Sequence, residues 1–383
     1  MYHFALIIPS LLLLAATEVI RIPLVGVARR SQESPRARHT NDEILSAKRQ
    51  NVEDYKDFEY LANITLGEPP QRFQVVLDTG SANLWIPDTT CNEQHSGQCA
   101  AKNVFDRKKS RSFSLLQQKT FQIAYGTGAA KGVLGSDTLC FGDSTLCMKN
   151  QTFGLATEIG EFFKGNPLDG ILGLGFKSLA VEGVTPPFIK AVEDGLVEQP
   201  LFTVYLEHHD GEIYEKGGVF TYGGLDEENC GPVIAWEKLS SASYWQFSMQ
   251  GIRIGKSYRS TKRYEVISDT GTSMIGGPKE EVDAMMTAMN ITEFDESQGL
   301  YTVDCSRVHS LPEVQFKIGK RFYGVTAANY IVKDGDVCFV LISPIEVFAG
   351  PQWILGDPFI RQFCNVHDVA EKRIGFAKSK QNP

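Results

Sequence analysis

Two stretches of the chain repeat one unusual pattern. Residues Val75–Pro87 read VVLDTGSANLWIP and residues Val266–Pro278 read VISDTGTSMIGGP, so each places Asp-Thr-Gly directly after an apolar, β-branched run. An unpaired carboxylate is costly to bury, so an aspartate at the end of a hydrophobic strand is unusual. Its occurrence twice, in matched surroundings, indicates that Asp78 and Asp269 occupy equivalent positions in two related halves of the molecule.

A second repeated motif follows each of these aspartates. Asp169–Phe176 (DGILGLGF) follows the first and Trp353–Phe359 (WILGDPF) follows the second, and both contain Ile-Leu-Gly. Matched motifs at similar spacing indicate an internal duplication. We therefore expect two copies of one β-rich unit, related by an approximate twofold axis, with the two aspartates facing each other in the cleft between them.

Two carboxylates held face to face have a distinctive acid–base chemistry. They cannot both ionise comfortably, so the pair shares one proton and titrates in two separated steps. The ionised carboxylate can take a proton from a water that attacks an amide carbonyl, while the protonated one hydrogen-bonds the carbonyl oxygen. Thr79, Thr270, Gly80 and Gly271 offer hydroxyls and close backbone amides that can hold the carboxylates in place. This chemistry needs no metal and no other cofactor.

The charge of the chain is unevenly distributed. The 383 residues carry a formal charge of −8, which argues against a nucleic-acid partner, because such a partner requires a basic footprint. Residues 1–50 contain seven Arg or Lys against four Asp or Glu, so residues 51–383 carry −11. A basic N-terminal segment thus precedes an acidic body.

The first sixteen residues, MYHFALIIPSLLLLAA, are typical of a secretory signal peptide. Their apolar core is too short to span a bilayer, and no other segment is long and apolar enough. We therefore expect a mature chain without a membrane anchor. Three Asn-x-Thr sequons would be available for glycosylation on this route: Asn63, Asn150 and Asn290.

Eight cysteines, an even number, suit the oxidising conditions of secretion. Cys91 and Cys99 can close one short loop, and Cys140 and Cys147 another. Spacing alone leaves the pairing of the other four open; these are Cys230, Cys305, Cys338 and Cys364. The chain has no paired C-x-x-C clusters, so the cysteines do not indicate a metal site.

The body of the chain is predicted to be mostly β. Short runs rich in Val, Ile, Phe, Tyr and Thr recur between turn signals, and 35 glycines punctuate them. These runs include YLANITLG, FQVVLD, FQIAYG, FTVYLE, GGVFTYGG, WQFSMQGIRIG, YGVTAANYIV and VCFVLI. Helices are predicted only at Thr185–Val197 and Lys279–Asn290. The fold class is therefore all-β with a few short helices, in two sheet-rich lobes.

With both Asp-Thr-Gly motifs in place, residues 52–378 resemble the pepsin family of aspartic endopeptidases, with a likeness to cathepsin D and E and to secreted or lysosomal nematode members. The resemblance implies a bilobal β fold and a hairpin flap over the cleft, matched by Phe121–Gly132. It also implies roles for residues other than the catalytic pair: for Tyr125, Gly126 and Thr127 in the flap, for Trp85 as hydrogen-bond partner of the flap tyrosine, for Ser81 and Thr272 beside the aspartates, and for Phe162 and Ile171 in the substrate pocket.

The resemblance also implies how the chain is divided. Residues 1–16 would be the signal peptide, 17–50 an activation prosegment, 51–229 the N-terminal lobe with the flap, and 230–383 the C-terminal lobe. Val19–Leu24 (VIRIPL) is similar to the start of the family's prosegment, which inhibits the enzyme by covering the cleft. The implied disulfides are Cys91–Cys99, Cys140–Cys147, Cys230–Cys364 and Cys305–Cys338.

The expected activity is hydrolysis of peptide bonds in proteins or peptides at acid pH, with bulky hydrophobic residues preferred around the scissile bond. The enzyme would be a monomer, made as a zymogen and either secreted or delivered to lysosomes. The rival interpretation is a catalytically silent binding protein of the same fold, since fold alone does not determine function. Such proteins usually lose an aspartate, its glycine or the flap tyrosine, and all of these are intact here.

Overall fold

The computed structural model describes most of the chain from residue 59 onward, together with one strand near the N-terminus. The described residues are 20–27, 59–94, 99–126, 128–142, 146–208, 214–296, 298–346 and 350–381. The expected signal peptide and most of the expected prosegment lie outside these ranges. No helix within them is long and apolar enough to cross a membrane.

Strands dominate the described residues. Those of the first part are β1 (Ile20–Val27), β2 (Glu59–Leu66), β3 (Gln71–Asp78), β4 (Leu84–Pro87), β5 (Ser114–Ala124), β6 (Ala129–Phe141), β7 (Leu146–Ile159), β8 (Gly170–Gly173), β9 (Leu201–Leu206) and β10 (Tyr214–Tyr222). Those of the second part are β11 (Cys230–Lys238), β12 (Ser241–Ala242), β13 (Trp245–Ile254), β14 (Tyr258–Ser260), β15 (Tyr264–Ser268), β16 (Ile275–Gly277), β17 (Glu293–Asp295), β18 (Leu300–Val303), β19 (Val314–Ile318), β20 (Arg321–Val325), β21 (Ile331–Asp334), β22 (Val337–Val340), β23 (Ile342–Pro344), β24 (Trp353–Leu355), β25 (Phe363–Asp368) and β26 (Arg373–Ser379).

The helices are short. They are α1 (Thr90–Gln94), α2 (Glu161–Gly165), α3 (Pro187–Glu193), α4 (Lys279–Ala288), α5 (Ala327–Tyr330) and α6 (Asp357–Gln362). Helices α3 and α4 lie within the two predicted helical segments. Three 3₁₀ turns complete the set, at Lys177–Leu179, Val181–Gly183 and Cys305–Ser310. The expected fold class, all-β with few short helices, is confirmed.

One predicted strand is wrong. The sequence predicts a continuous run at Tyr323–Val332 (YGVTAANYIV), but helix α5 interrupts it between β20 and β21. The side-chain oxygen of Gln362 in α6 accepts hydrogen bonds from the Thr326 amide at 3.1 Å and from the Asn329 side chain at 2.9 Å. This contact with a distant residue stabilises a helical turn that local β propensity does not predict.

The strands form three sheets in two lobes. A thirteen-stranded sheet runs in the order β11-β26-β25-β9-β10-β1-β2-β3-β8-β4-β7-β6-β5. The second lobe contains a nine-stranded sheet built around β13, β15 and β24, and a four-stranded sheet, β17-β18-β22-β21. Because β11, β25 and β26 join the large sheet, the C-terminal part of the chain contributes strands to both lobes. The lobe boundary at residue 230 stays a prediction.

The duplicated motifs pair with each other within each half. Strand β3, which ends in the first aspartate, runs parallel to β8, with Val76 opposite Ile171. Strand β15, which leads to the second aspartate, runs parallel to β24, with Ile267 opposite Ile354. Each Ile-Leu-Gly motif is therefore the buried neighbour of an Asp-Thr-Gly strand, which explains why the two motifs recur together.

The apolar core forms one large cluster that extends through both lobes and includes Trp245 and Trp353. A second cluster, around Trp85, lies beneath the β5–β6 hairpin. The described cysteines are all disulfide-bonded, as Cys91–Cys99, Cys140–Cys147, Cys230–Cys364 and Cys305–Cys338. These are the four pairs that the family resemblance implies.

Two buried tyrosines offer a matched test of this packing. The Tyr222 hydroxyl is buried without a hydrogen-bond partner among the described residues, whereas the Tyr330 hydroxyl donates to the Pro312 carbonyl at 2.7 Å. An unsatisfied buried hydroxyl costs about 1–3 kcal/mol, and a typical hydrogen bond contributes about 1 kcal/mol. We expect Tyr222→Phe to leave the free energy of unfolding unchanged or raise it, and Tyr330→Phe to lower it by about 1 kcal/mol. Urea unfolding measures both; equal losses in the two variants would contradict this account.

Candidate active site

The two aspartates lie in equivalent turns. Asp78 ends β3 and Asp269 follows β15, and both are buried. One Asp78 carboxylate oxygen accepts from the Gly80 amide at 2.8 Å, and the other accepts from the Ser81 hydroxyl at 2.5 Å. These local donors favour the ionised form of Asp78.

The second turn repeats these contacts. The Gly271 amide donates to one oxygen of Asp269 at 2.9 Å, and the Thr272 hydroxyl donates to the other at 2.7 Å. The two turns are therefore equivalent in structure as well as in sequence.

The threonines of the two motifs hold the turns together. Thr79 and Thr270 are buried, and each backbone amide donates to the other residue's hydroxyl oxygen at 3.0 Å. The Thr79 hydroxyl in turn donates to the Ser268 carbonyl at 2.9 Å, and the Thr270 hydroxyl donates to the Leu77 carbonyl at 2.5 Å. This reciprocal network fixes the position of one lobe's aspartate relative to the other's.

The glycines allow the carboxylates to approach each other. A Cβ added to Gly80 would lie 2.5 Å from a carboxylate oxygen of Asp269, and a Cβ added to Gly271 would lie 2.5 Å from a carboxylate oxygen of Asp78. No side chain fits at such distances, so each turn needs glycine to accommodate the opposing aspartate.

The electrostatics agree with this geometry. Burial raises the pKa of Asp78 well above its usual range, and the neighbouring charge of Asp269 raises it further, while hydrogen bonds from Ser81 and Gly80 act in the opposite direction. Two carboxylates in contact hold one proton between them over a range of pH. The pair can therefore present one proton donor and one proton acceptor to the same ligand.

Comparison with known proteins agrees with this arrangement. The family model described as "Eukaryotic aspartyl protease" matches residues 59–379. Aspartic protease 6 of Caenorhabditis elegans is 47% identical over 349 residues, covering 90% of this chain and 87% of that protein. Aspartic protease 2 of Necator americanus is 41% identical over 369 residues (86% and 85%), and embryonic pepsinogen of Gallus gallus is 36% identical over 344 residues (89% and 86%).

The chain belongs to the eukaryotic aspartyl protease family. It is an aspartic-type endopeptidase with the pepsin-like bilobal fold.

The β5–β6 hairpin of the protease, the segment predicted to be the flap, brings Tyr125 within electrostatic reach of Asp78. Tyr125 follows β5, and its hydroxyl accepts a hydrogen bond from the Trp85 indole nitrogen at 2.9 Å. Burial, and secondarily the charge of Asp78, raises the pKa of Tyr125, so its hydroxyl stays protonated. A Cβ on Gly126 would meet nothing within 4 Å, and Thr127 lies outside the described residues.

The two residues expected in the substrate pocket differ in their surroundings. Phe162 in α2 is half-buried and packs edge-on against Phe163, with ring centroids 5.4 Å apart. Ile171 is buried in the same cluster as Trp85, beneath the flap. Phe162 is the more accessible of the two.

Two further side chains near the site were not predicted from the sequence. Phe163 packs edge-on against Trp85 at 5.2 Å and against Tyr125 at 5.9 Å, so it supports the flap tyrosine. Burial raises the pKa of Tyr244, and the charges of Asp269 and Asp78 add to the effect, which places Tyr244 within electrostatic reach of the pair. In the sequence, Tyr244 is marked only by its position next to a tryptophan, Trp245, which the structure buries.

Other predicted sites are at the surface. The side chains of the sequon asparagines Asn63, Asn150 and Asn290 are exposed. No group of three or more His, Cys, Asp or Glu side chains within the described ranges is arranged to hold a metal ion.

Proposed function

We propose that this protease hydrolyses peptide bonds at acid pH with a water molecule activated by Asp78 and Asp269. The observation that carries the proposal is the mutual approach of the two buried aspartates across the paired Thr79–Thr270 network. That arrangement supplies one ionised and one protonated carboxyl in a rigid frame, which is what attack by water on an amide requires.

The reaction proceeds in two steps without a covalent enzyme intermediate. The ionised carboxylate takes a proton from water as the water oxygen bonds to the carbonyl carbon, while the protonated carboxyl donates its proton to the carbonyl oxygen. In the resulting tetrahedral diol, the carboxyl that took the water proton gives it to the amide nitrogen, and the other carboxylate takes a proton from a diol hydroxyl. The C–N bond then breaks, a carboxylic acid and an amine are released, and the pair again holds one proton. The Ser81 and Thr272 hydroxyls, which donate to the outer carboxylate oxygens, keep the pair oriented throughout.

The substrates are protein or peptide chains that bind in extended form beneath the flap. The half-buried ring of Phe162 and the apolar cluster behind Tyr125 favour bulky hydrophobic residues next to the scissile bond. The flap tyrosine is fixed by Trp85 on one side and by Phe163 on the other. A cleavage profile dominated by small or basic residues at these positions would contradict this preference.

The chain is made as a zymogen that enters the secretory pathway and works as a monomer, secreted or in lysosomes. Strand β1, part of the expected prosegment, lies between β10 and β2 in the large sheet, with Ile20 opposite Tyr222 and Val25 opposite Leu61. Its removal would expose backbone groups of both neighbours, so activation requires the sheet to be re-paired.

The four disulfides suit an oxidising compartment. The rival function, a silent binding protein, has no specific observation in its favour.

The test is the pH dependence of kcat/KM for the acid-treated zymogen on a peptide with two large apolar residues at the scissile bond. Because the pKa of Asp78 is raised, activity is expected to persist through the acid range and to fall as pH rises and the shared proton is lost; it also falls at very low pH, when the pair takes up a second proton. The new N-terminus is expected near residue 50. Maximal activity at neutral or alkaline pH, or an N-terminus well inside the body, would contradict the proposal.

A further inference from the structure

A strongly basic run lies in the otherwise acidic body of the chain. Residues 253–263, RIGKSYRSTKR, contain five Arg or Lys and no Asp or Glu, although residues 51–383 carry −11 overall. The active site makes no use of this run. A charge concentration opposite in sign to the rest of the molecule favours contact with an anionic partner.

Neighbouring strands gather these charges, and others, on one surface. Strand β13 packs against β14 on one side and β19 on the other, and β19 pairs with β20. Ile252 and Ile254 point into the core, so Arg253 between them points outward; Lys317 likewise lies between the buried Phe316 and Ile318. We call this surface the basic face. Its members are Arg253, Lys256, Arg259, Lys317 and Lys320.

The cations of the basic face lack carboxylate partners. Within the part of the chain that the structure describes, none of the five forms an ion pair, whereas the adjacent Lys262 is paired with Glu281. The nearby carboxylate of Glu313 is engaged by the side-chain amide of Gln315 at 2.6 Å. Glu313 keeps its negative charge on this surface, but the five cations outnumber it, so the net charge of the basic face is positive.

Two of these cations are placed where repulsion opposes folding. Arg253 and Arg259 are directly opposite each other on β13 and β14, and like charges in that position destabilise a sheet. Arg253 is nevertheless held in place: its Nε donates to the Gln315 side-chain oxygen at 2.7 Å, and its guanidinium lies 4.3 Å from the centre of the half-exposed Phe322 ring. An ordered, repelling pair of arginines is stabilised when an anion binds between them.

We propose that the basic face binds an anionic polysaccharide, a chain bearing sulfate or carboxylate groups. Strands lie about 5 Å apart, so β14, β13 and β19 present charges over a surface about 10 Å wide, which suits a polymer with repeated anionic groups. The disulfides place the protein in an oxidising compartment. Nucleic acid is not a partner expected there, and anionic lipids concentrate in the cytoplasmic leaflet, so an acidic glycan is the polyanion that this surface would meet.

The test compares two variants of the full-length protein that lose equal charge. The basic-face variant carries Arg253→Gln, Arg259→Gln and Lys317→Gln; the control carries Lys119→Gln, Lys149→Gln and Lys177→Gln, three exposed lysines of the first lobe. The probe is a fluorescent heparin oligosaccharide, and Kd is measured by anisotropy at several salt concentrations. We expect the basic-face variant to bind at least about tenfold more weakly and to lower the slope of log Kd against log salt by about 2–3, since each lost ionic contact lowers the slope by roughly one. The control variant is expected to change Kd by less than about threefold.

Three results would overturn the proposal. The wild-type protein fails to bind heparin at low salt; the two variants weaken binding equally, which would indicate net charge alone; or the wild-type protein binds anionic phospholipid vesicles more tightly than heparin. After acid activation, hydrolysis of a short peptide, which the basic face does not contact, is expected to be the same in all three proteins, and this shows that each is folded.

Discussion

Replacing either active-site aspartate by asparagine is expected to lower kcat/KM at acid pH by at least about 10³-fold, because each substitution removes one of the two groups that transfer protons. An asparagine side chain can neither hold the shared proton as a carboxylic acid nor accept one as a carboxylate. The backbone contacts survive in both variants, since the amide oxygen of asparagine still accepts from the Gly80 or Gly271 amide. The measurement is steady-state hydrolysis of a peptide by protein freed of its prosegment.

The control for this prediction is Asp336→Asn, which removes an exposed carboxylate from the loop between β21 and β22. It is expected to leave kcat/KM within about twofold of wild type, because the charge is solvated and screened. Substantial residual activity in a folded Asp78→Asn or Asp269→Asn protein would show that the hydrolysis does not depend on the pair.

The second large effect is expected in acid stability. His367 in β25 is fully buried: its ring stacks on Phe202 at 4.4 Å and meets Trp245 edge-on at 4.7 Å, and its Nε2 lies 3.5 Å from the Ser268 hydroxyl. Burial lowers the pKa of His367 to about 3, and a contact with the Asn365 backbone offsets a small part of the effect. Between pH 6.5 and about 3, this histidine therefore stays neutral in the folded protein, whereas an ordinary exposed histidine is charged.

The sign of the effect follows from proton linkage. In the unfolded chain a histidine has a pKa of about 6.5, so between pH 6.5 and about 3 only the unfolded state binds the proton. The stability contributed by neutral His367 is complete above pH 6.5 and is lost as pH falls, by about 1.4 kcal/mol per pH unit. We expect His367→Phe, which keeps the stacking on Phe202, to gain about 3 kcal/mol relative to its parent between pH 7 and pH 4.

Urea unfolding at pH 7, 5.5 and 4 measures this gain, in an Asp269→Asn background that prevents self-digestion. The control is His309→Phe, at an exposed position, where the difference from the parent is expected to be independent of pH. If His367→Phe and its parent lose stability in parallel as pH falls, His367 does not limit the acid stability of the fold.

Asp78 acts in the opposite direction to His367. Its raised pKa means that the folded protein holds a proton that the unfolded chain has already released, so its contribution to stability is lost as pH rises above about 4. Burial of the histidine disfavours strong acid, and burial of the carboxyl pair disfavours neutral and alkaline pH. The fold is thereby best suited to mildly acidic conditions.

The repeated motifs allowed the facing pair of aspartates and its frame to be predicted. A carboxylate at the end of an apolar strand is a local signal, and its duplication requires symmetry, so Asp78, Asp269 and the turn glycines follow from spacing alone. The partnership of Trp85 with Tyr125 came only from the family resemblance, because the two residues are 40 positions apart and no local pattern joins them.

The remaining features depend on contacts between distant residues. The fold brings Phe163 close to Tyr125 and Tyr244 close to the aspartates, and no sequence pattern around either residue predicts these contacts. His367 lies in strand β25 (FCNVHD) beside the polar Asp368, and nothing in this pattern indicates that it is buried; only its contacts with Phe202 and Trp245 reveal this. The basic face likewise exists only because the β13–β14 and β19–β20 hairpins lie side by side.

The proposed mechanism requires Asp78 and Asp269 to share one proton. Neutron crystallography of the mature enzyme, in heavy water at about pH 4, locates that proton directly. One deuteron is expected on the pair, bound to one carboxyl and facing the other. Two deuterons, or none, at a pH where the enzyme hydrolyses peptides would contradict it.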